Sequence, residues 1–282
     1  MTTTKTVLIT GASGGFGKTF TKVFLQAGYH VIATIRQENK KQDVLFGLSE
    51  QERRNLTLMF LDVSHDQSVA QFQTALRAYN RIDVLINNAG FAVAGFAEEL
   101  TIEEYKLQFE TNFFGVIRVT NAVLPLMRKQ GFGRIINISS ISGLVGFPGL
   151  SPYVSSKYAL EGYSESLRLE VKDFGIDVVL LEPGSFQTNI WTSGTHLSEN
   201  AGGDASPYKS MFTSINNRMI ADREKYGDPI EVGVLALIIA ESQRAPSLRY
   251  TVGKGVNFML TLKRLIPWKI WERLVLKQLQ KP

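Results

Sequence analysis

Short runs of β-branched and apolar residues recur along this chain, and each is followed by a longer stretch with helical periodicity. The runs are Thr6–Thr10, His30–Thr34, Leu56–Leu61, Val84–Asn87, Arg134–Ser139 and Asp177–Glu182, with a weaker one at Leu248–Val252. Several are nearly continuous in Val, Ile and Leu, the pattern of strands buried on both faces of a parallel sheet. Helical spacing marks Lys18–Ala27, Ser68–Tyr79, Thr101–Arg128 and Pro152–Phe174 between them. Alternation of this kind builds right-handed βαβ units. It predicts an α/β fold, a doubly wound parallel sheet of about seven strands flanked by helices. With 282 residues, 44% of them hydrophobic, the chain has enough apolar surface for one large core. No linker or repeat divides it, so one domain over 1–282 is expected.

In such a sheet ligands bind beyond the carboxyl ends of the strands, so the residues just after each strand matter most. The first strand runs into Thr10-Gly-Ala-Ser-Gly-Gly-Phe-Gly17 and then a helix. Gly11, Gly15 and Gly17 let the backbone turn tightly and approach a pyrophosphate, with Ser13 and Phe16 in the same loop. The helix that follows offers free N–H groups and a positive dipole end. The second strand ends Ala33-Thr34-Ile35-Arg36, without the acid that usually bonds a ribose 2′-hydroxyl in NAD sites. A guanidinium at Arg36, helped by Ser13, suits a 2′-phosphate instead. The expectation is therefore NADP over NAD; the alternative is that Arg36 is an exposed surface cation. Asp62-Val63 follows the third strand, where the carboxylate can accept from an adenine amino group or simply cap a turn. Asn87-Asn88-Ala89-Gly90 follows the fourth. Its small residues let a cofactor lie against the backbone, although a plain turn has the same composition.

Tyr153 and Lys157 stand four apart at the start of a helical pattern, on one face. A phenol is a poor base near neutrality. One cation about 4 Å away, at an effective dielectric near 20, contributes about 4 kcal/mol, which predicts a Tyr153 pKa brought down by about three units. An ordinary helix surface also carries Tyr and Lys at this spacing. Two further features add weight. Ser139-Ser140 closes the fifth strand, and Asn112, a middling helix former, interrupts a long helix.

Together, the loop Thr10–Gly17, the Asn87–Gly90 motif, Asn112, Ser140, the Tyr153–Lys157 pair and Pro183-Gly184 with Thr188 resemble the short-chain dehydrogenase/reductase family. The resemblance is strong over about residues 5–190. It implies a Rossmann-type fold and hydride transfer between a nicotinamide cofactor and a carbonyl or alcohol. It implies that Tyr153 moves the proton and that Lys157 lowers its pKa and bonds the nicotinamide ribose. Ser140, rather than Ser139, would orient the substrate oxygen, and Asn112 would hold a water that relays protons from Lys157. Gly11, Ser13, Gly15, Phe16, Gly17, Arg36, Asp62, Val63, Asn88, Ala89, Gly90, Pro183, Gly184 and Thr188 would contact the cofactor. Ile35–Arg36 and Leu248–Gly253 are similar to the NADP-using 17β-hydroxysteroid and retinol dehydrogenase-like branch. An NAD-dependent alcohol dehydrogenase and a non-catalytic dinucleotide-binding regulator are the rival readings. The second would be free to lose Asn112, Ser140, Tyr153 or Lys157, and all four are present. Family members commonly form dimers or tetramers, so a homo-oligomer is expected.

Phe91, Phe96, Leu144, Phe147, Phe186 and Trp191 lie in the loops after strands four to six and suit a hydrophobic substrate. About half of these large apolar residues should prove to be core. Ile190–Ile220 is polar and weakly periodic, as a mobile lid would be. The extension 256–282 alternates apolar residues with Lys263, Arg264, Lys269, Arg273 and Lys277 and is broken at Pro267. Such a basic amphipathic segment can pack on protein, the favoured reading, or lie on a membrane as a peripheral contact. With no cysteine, disulfides, thiol catalysis and cysteine-bound zinc are excluded, and a reducing cytoplasm is the expected location. The three histidines are far apart in sequence, so no metal site is expected. MTTTKTVLIT lacks a secretory pattern. The net charge of +5 is dispersed, which gives no sign of nucleic-acid binding.

Overall fold

The computed structural model describes residues 4–279. Met1–Thr3, where the N-terminal reading begins, and residues 280–282, where the C-terminal extension ends, lie outside the described residues. The strands are β1 (Thr6–Ile9), β2 (His30–Ile35), β3 (Leu56–Phe60), β4 (Val84–Asn87), β5 (Ala92–Ala94), β6 (Gly133–Ile138), β7 (Ile176–Pro183), β8 (Thr195–Leu197) and β9 (Arg249–Val252). The helices are α1 (Gly15–Gln26), α2 (Lys41–Leu45), α3 (Glu50–Arg54), α4 (Asp66–Leu76), α5 (Ile102–Phe109), α6 (Gly115–Gln130) and α7 (Ser151–Val171). The set is completed by α8 (Lys209–Asp222), α9 (Pro229–Glu241), α10 (Val256–Leu265) and α11 (Trp268–Leu279).

Seven strands form one sheet in the order β3-β2-β1-β4-β6-β7-β9, all parallel, and β5 pairs with β8 outside it. The expected seven-stranded α/β sheet is therefore present. Strand order reverses between β1 and β4, and both carry their motif loops at this switch point. Side chains alternate across the sheet with period two. Val7 and Ile9 join α1 and α9 through Phe20, Phe24, Val232 and Ala236 on one face. Leu8 joins α4, α6 and α7 through Phe72, Val119, Val123 and Leu167 on the other. Burial of Phe20 and Phe24 contributes about 1.5–3 kcal/mol each.

The carboxyl end of the sheet is crossed by a polar ladder. Asn87 Nδ2 donates to Thr120 Oγ1 at 3.0 Å and to Asn137 Oδ1 at 2.8 Å, and Asn137 Nδ2 donates to Ser164 Oγ at 2.9 Å. Thus β4, β6, α6 and α7 are tied together at fixed height, because buried polar groups are stable only when paired.

One region differs from expectation, and two others gain definite structure. The stretch Thr101–Arg128 is not uniform: a π-helical turn, Glu110–Phe114, separates α5 from α6 and carries Asn112. The 190–220 segment contains β8 and most of α8. It is stapled to the loop after β5: the Tyr208 ring stacks on Phe96 at 4.5 Å, and the Ser198 N–H donates to the Ala94 carbonyl at 2.9 Å. The C-terminal segment forms two helices that part at Ile266-Pro267, with Trp271 buried and Arg218 of α8 donating to the Gln278 carbonyl. Phe258, Leu265 and Trp268 remain exposed. Among the described residues no helix is long and apolar enough to cross a membrane.

Replacing Asn137→Ala removes two buried hydrogen bonds of the ladder. Stability is expected to drop by about 1–3 kcal/mol, read as a lower urea midpoint at unchanged slope; an unshifted midpoint contradicts the ladder's importance.

Candidate active site

The glycine loop is built by close backbone contact. Gly11 has φ +66°, and a Cβ there would meet the Ala89 Cα at 2.8 Å. At Gly17 a Cβ would lie 2.3 Å from the Gly11 carbonyl oxygen and 2.9 Å from Asn88 Nδ2. Asn88 is committed to this contact: its Nδ2 donates to the Thr10 and Gly11 carbonyls at 2.9 and 3.1 Å. Thr10 Oγ1 in turn accepts from the Asn88 and Ala89 N–H groups. The loop is thus held from β4, and Ala89 passes directly beneath it, while Gly90 lies against Asn112.

The N-terminus of α1 carries no acidic residue in its first turn, and Gly14 offers no side-chain cap. Such an end can receive an anion. One partner arrives from elsewhere: Asn189 Oδ1 accepts from the Gly15 N–H at 2.9 Å, and Thr188 stands beside Gly15. Sequence spacing had no signal for Asn189, because the contact spans 174 positions. Pro183 closes β7, and the Gly184 N–H bonds to Val252 on β9 at 2.8 Å. Arg36 is exposed directly after β2, at the same end of the sheet. Asp62 accepts from the Ser64 N–H and hydroxyl at 3.0 and 2.6 Å. Burial works against its charge, but those donors outweigh it and hold the carboxyl below its ordinary value. Its geometry is that of a turn aspartate. Val63 is buried against Gly115.

Tyr153, Lys157 and Ser140 converge at the ends of β6 and α7. Tyr153 is 4% exposed and Lys157 7%. Lys157 Nζ donates to the Ile138 carbonyl at 2.8 Å and lies 5.6 Å from the Tyr153 ring centroid. The two serines separate cleanly. Ser139 Oγ donates to Glu161, whereas Ser140 Oγ accepts from the Ser142 N–H at 3.1 Å and stays on the Tyr153 side, where it favours the phenolate. Asn112, buried in the π-turn, grips Phe91 by both backbone groups: its Oδ1 accepts at 3.1 Å and its Nδ2 donates at 3.0 Å. A second Nδ2 contact reaches Ser156 Oγ at 3.5 Å.

The charge state of Tyr153 corrects the expectation from spacing. Burial pushes the phenol up to about 12, and the Ser140 hydrogen bond only partly offsets this. The same burial presses Lys157 down to about 8, with Glu161 pulling the other way. Spacing gives distance but not desolvation, and here desolvation of the phenolate wins. The result is a tyrosine that holds its proton at neutral pH, beside a hydroxyl, at the sheet's ligand-binding edge. Such a group can donate a proton to an oxygen placed between them.

The apolar candidates divide. Trp191 meets Tyr153 edge-on at 5.8 Å between centroids, and Phe91, Leu144 and Phe147 are half-buried. Phe186 instead packs on Phe16 and Gly227 within the core, and Phe96 is buried under Tyr208. Both are taken up by core contacts, as large apolar side chains usually are.

The sequence profile of the short chain dehydrogenase family matches residues 5–197. An uncharacterized oxidoreductase, YusZ, of Bacillus subtilis is 45% identical over 276 residues, covering 98% of each chain. A 3-ketodihydrosphingosine reductase of Bacteroides thetaiotaomicron is 38% identical, covering 90% of this chain and 89% of that one. Human retinol dehydrogenase 8 is 39% identical over 189 residues, covering 66% of this chain and 60% of that one. A solved short-chain dehydrogenase from Streptomyces avermitilis superposes with TM-score 0.81 at 32% identity, covering 97% of this chain and 98% of that one. The solved structure of ElxO with NADP bound has TM-score 0.74 at 26% identity, covering 90% of this chain and 99% of that one. This chain belongs to the short-chain dehydrogenase family of oxidoreductases, whose Rossmann-like sheet it shares.

Proposed function

We propose that the chain is an NADP-dependent reductase of a hydrophobic, lipid-like carbonyl compound, with Tyr153 as its general acid. The observation that carries this reading is the Tyr153 phenol, buried beside the Ser140 hydroxyl at the carboxyl end of the sheet and raised by that burial so that it keeps its proton at neutral pH. NADPH, when bound, supplies the hydride. Ser140 holds the substrate oxygen. As the carbon gains hydride, the carbonyl π pair moves to that oxygen, which takes the Tyr153 proton. Donors already in place meet the charge as it forms. The phenolate left behind is reprotonated from solvent by way of Lys157. Asn112 braces Phe91 beside α7, and its amide oxygen keeps one lone pair for the water relay that the family implies. The segment 190–220 acts as the lid over the substrate.

The loops fit the cofactor. Gly11 and Gly17 leave backbone where a Cβ would stand, α1 presents its N-terminus, and Asn189 is a displaceable partner of Gly15. The exposed Arg36, with no acid beside the end of β2, supports a 2′-phosphate. Half-buried Phe91, Leu144, Phe147 and Trp191 support an apolar substrate. So do two relatives, named for retinol and for 3-ketodihydrosphingosine.

Tyr153→Phe is expected to cut carbonyl reduction by about 10²–10⁴-fold while NADPH still binds as in the wild type. Near-normal turnover in that variant would remove Tyr153 from the reaction. Arg36→Ala should raise the KM for NADPH by about 10–100-fold, as loss of a charged hydrogen bond does, and leave that for NADH nearly unchanged. Equal efficiency of the unaltered protein with both cofactors would sink the NADP preference. The pH dependence follows from Lys157, since Tyr153 stays protonated until about 12. As pH rises through about 8, Lys157 loses its proton, so kcat/KM for NADPH is expected to fall above that point. A profile that stays flat to a pH of about 10, the ordinary lysine range, contradicts this role for Lys157.

A further inference from the structure

Behind Tyr153 and Lys157 lies a cluster of buried acids that proton transfer itself does not use. Glu161 is one helical turn beyond Lys157 on α7 and is buried. Ser139 Oγ donates to its Oε1 at 2.5 Å, and Arg249 Nε, from β9, donates to its Oε2 at 3.0 Å. Glu182 comes from β7 and is fully buried. Arg249 Nε stands 3.3 Å from its Oε1 without hydrogen-bond alignment, and among the described residues neither Glu182 oxygen has a donor. The same Arg249 also pairs with Glu165 on the outer side of α7. One guanidinium therefore faces three carboxyl groups, and Lys157 is the next cation along the helix.

The Glu161 and Glu182 carboxyl groups meet at one guanidinium: Arg249 Nε stands 3.0 Å from Glu161 Oε2 and 3.3 Å from Glu182 Oε1. Two ionised carboxylates have no proton to donate, and like charges in a buried site repel. Such a contact is stable when one of the pair is protonated. Donors decide which one. Burial raises Glu161 as well, but Glu161 receives Ser139 and Arg249, donors that favour its charged form and that Glu182 lacks. At Glu182 burial and the Glu161 charge push the carboxyl upward, and the Arg249 guanidinium, which is not aligned to donate to it, only partly offsets them. A proton on Glu182 gives its oxygens a use, since the acid O–H then donates to Glu161.

We propose that Glu161 and Glu182 share one proton held on Glu182, and that ionised Glu161 is a positioning residue that keeps the Lys157 ammonium charged at the end of β6. This inference rests on the proposed role of Lys157. The groups facing the pair are Lys157 and Glu165 on α7, Ser139 after β6 and Arg249 on β9. Among them, Glu161 is the acid whose charge acts on Lys157. The cluster also ties β9 and β7 to α7, so loss of stability alone would not reveal the electrostatic role.

The test measures kcat/KM for NADPH against pH in the wild type, Glu161→Gln and Glu182→Gln, together with the infrared band of protonated carboxyl groups near neutral pH. Glu161→Gln removes a unit charge one helical turn from Lys157, so the alkaline limb is expected to move down by about one pH unit. Glu182→Gln keeps a donor towards Glu161, so its limb should stay in place. The wild type should show a protonated-carboxyl band that Glu182→Gln lacks. An unmoved limb in Glu161→Gln, or an equal shift in both variants, overturns the positioning role. Absence of the band overturns the shared proton. The infrared readout needs no turnover and no folded Glu161 variant, so it stands apart from any failure of Tyr153 or Lys157 to act in reduction.

Discussion

The side of α7 that faces the sheet is largely polar, and the rest of the site depends on how that polarity is satisfied. Tyr153, Ser156, Lys157, Glu161 and Ser164 are all buried there. A buried charge or hydroxyl costs several kcal/mol unless it is paired. The partners come from fixed heights on neighbouring strands: the Ile138 carbonyl for Lys157, Ser139 and Arg249 for Glu161, and Asn137 for Ser164. A slip of α7 along the sheet would break all of them together. Apolar packing alone tolerates such slips better, because it lacks direction. The polar register therefore places Tyr153 opposite Ser140.

The same logic governs the nucleotide side. Gly17 packs on the Gly11 carbonyl and on Asn88, and Thr10 is bonded to the turn after β4. The glycine loop and the Asn87–Gly90 turn form one unit at the switch in strand order. The site is then a consequence of sheet topology, since only here do two adjacent strands send their following loops apart.

Much of this was legible in the sequence. All seven sheet strands were found within two residues of their observed bounds: the inner strands are buried on both faces and announce themselves as runs of Val, Ile and Leu, while β3 and β9 at the edges are only partly buried and the run at β9 is correspondingly weaker. Helices α1, α4 and α7 followed from spacing, whereas the stretch Thr101–Arg128 divided into α5 and α6. The convergence of Tyr153, Lys157 and Ser140 was readable because four residues make about one turn and Ser140 closes a strand. Other features had no local signal. β5 and β8 are three residues each, and their pairing spans a hundred positions. The π-turn at Asn112 depends on Phe91 as its partner, not on its own neighbours. Asn189 meets Gly15 only through the fold. Glu161 could have been found, being four residues beyond Lys157; Glu182 looked like the end of a strand.

The sequence by itself determined the layered α/β architecture, the end of the sheet that does chemistry and the side chains that meet there. Those are matters of periodicity and order, which the chain carries locally. Only the tertiary structure decided the charge states: Tyr153 raised instead of lowered, Lys157 pressed towards neutrality, and an acid pair behind them. Ionisation depends on the water that burial removes and on charges brought in from distant strands. Neither is written in the spacing of residues along one helix.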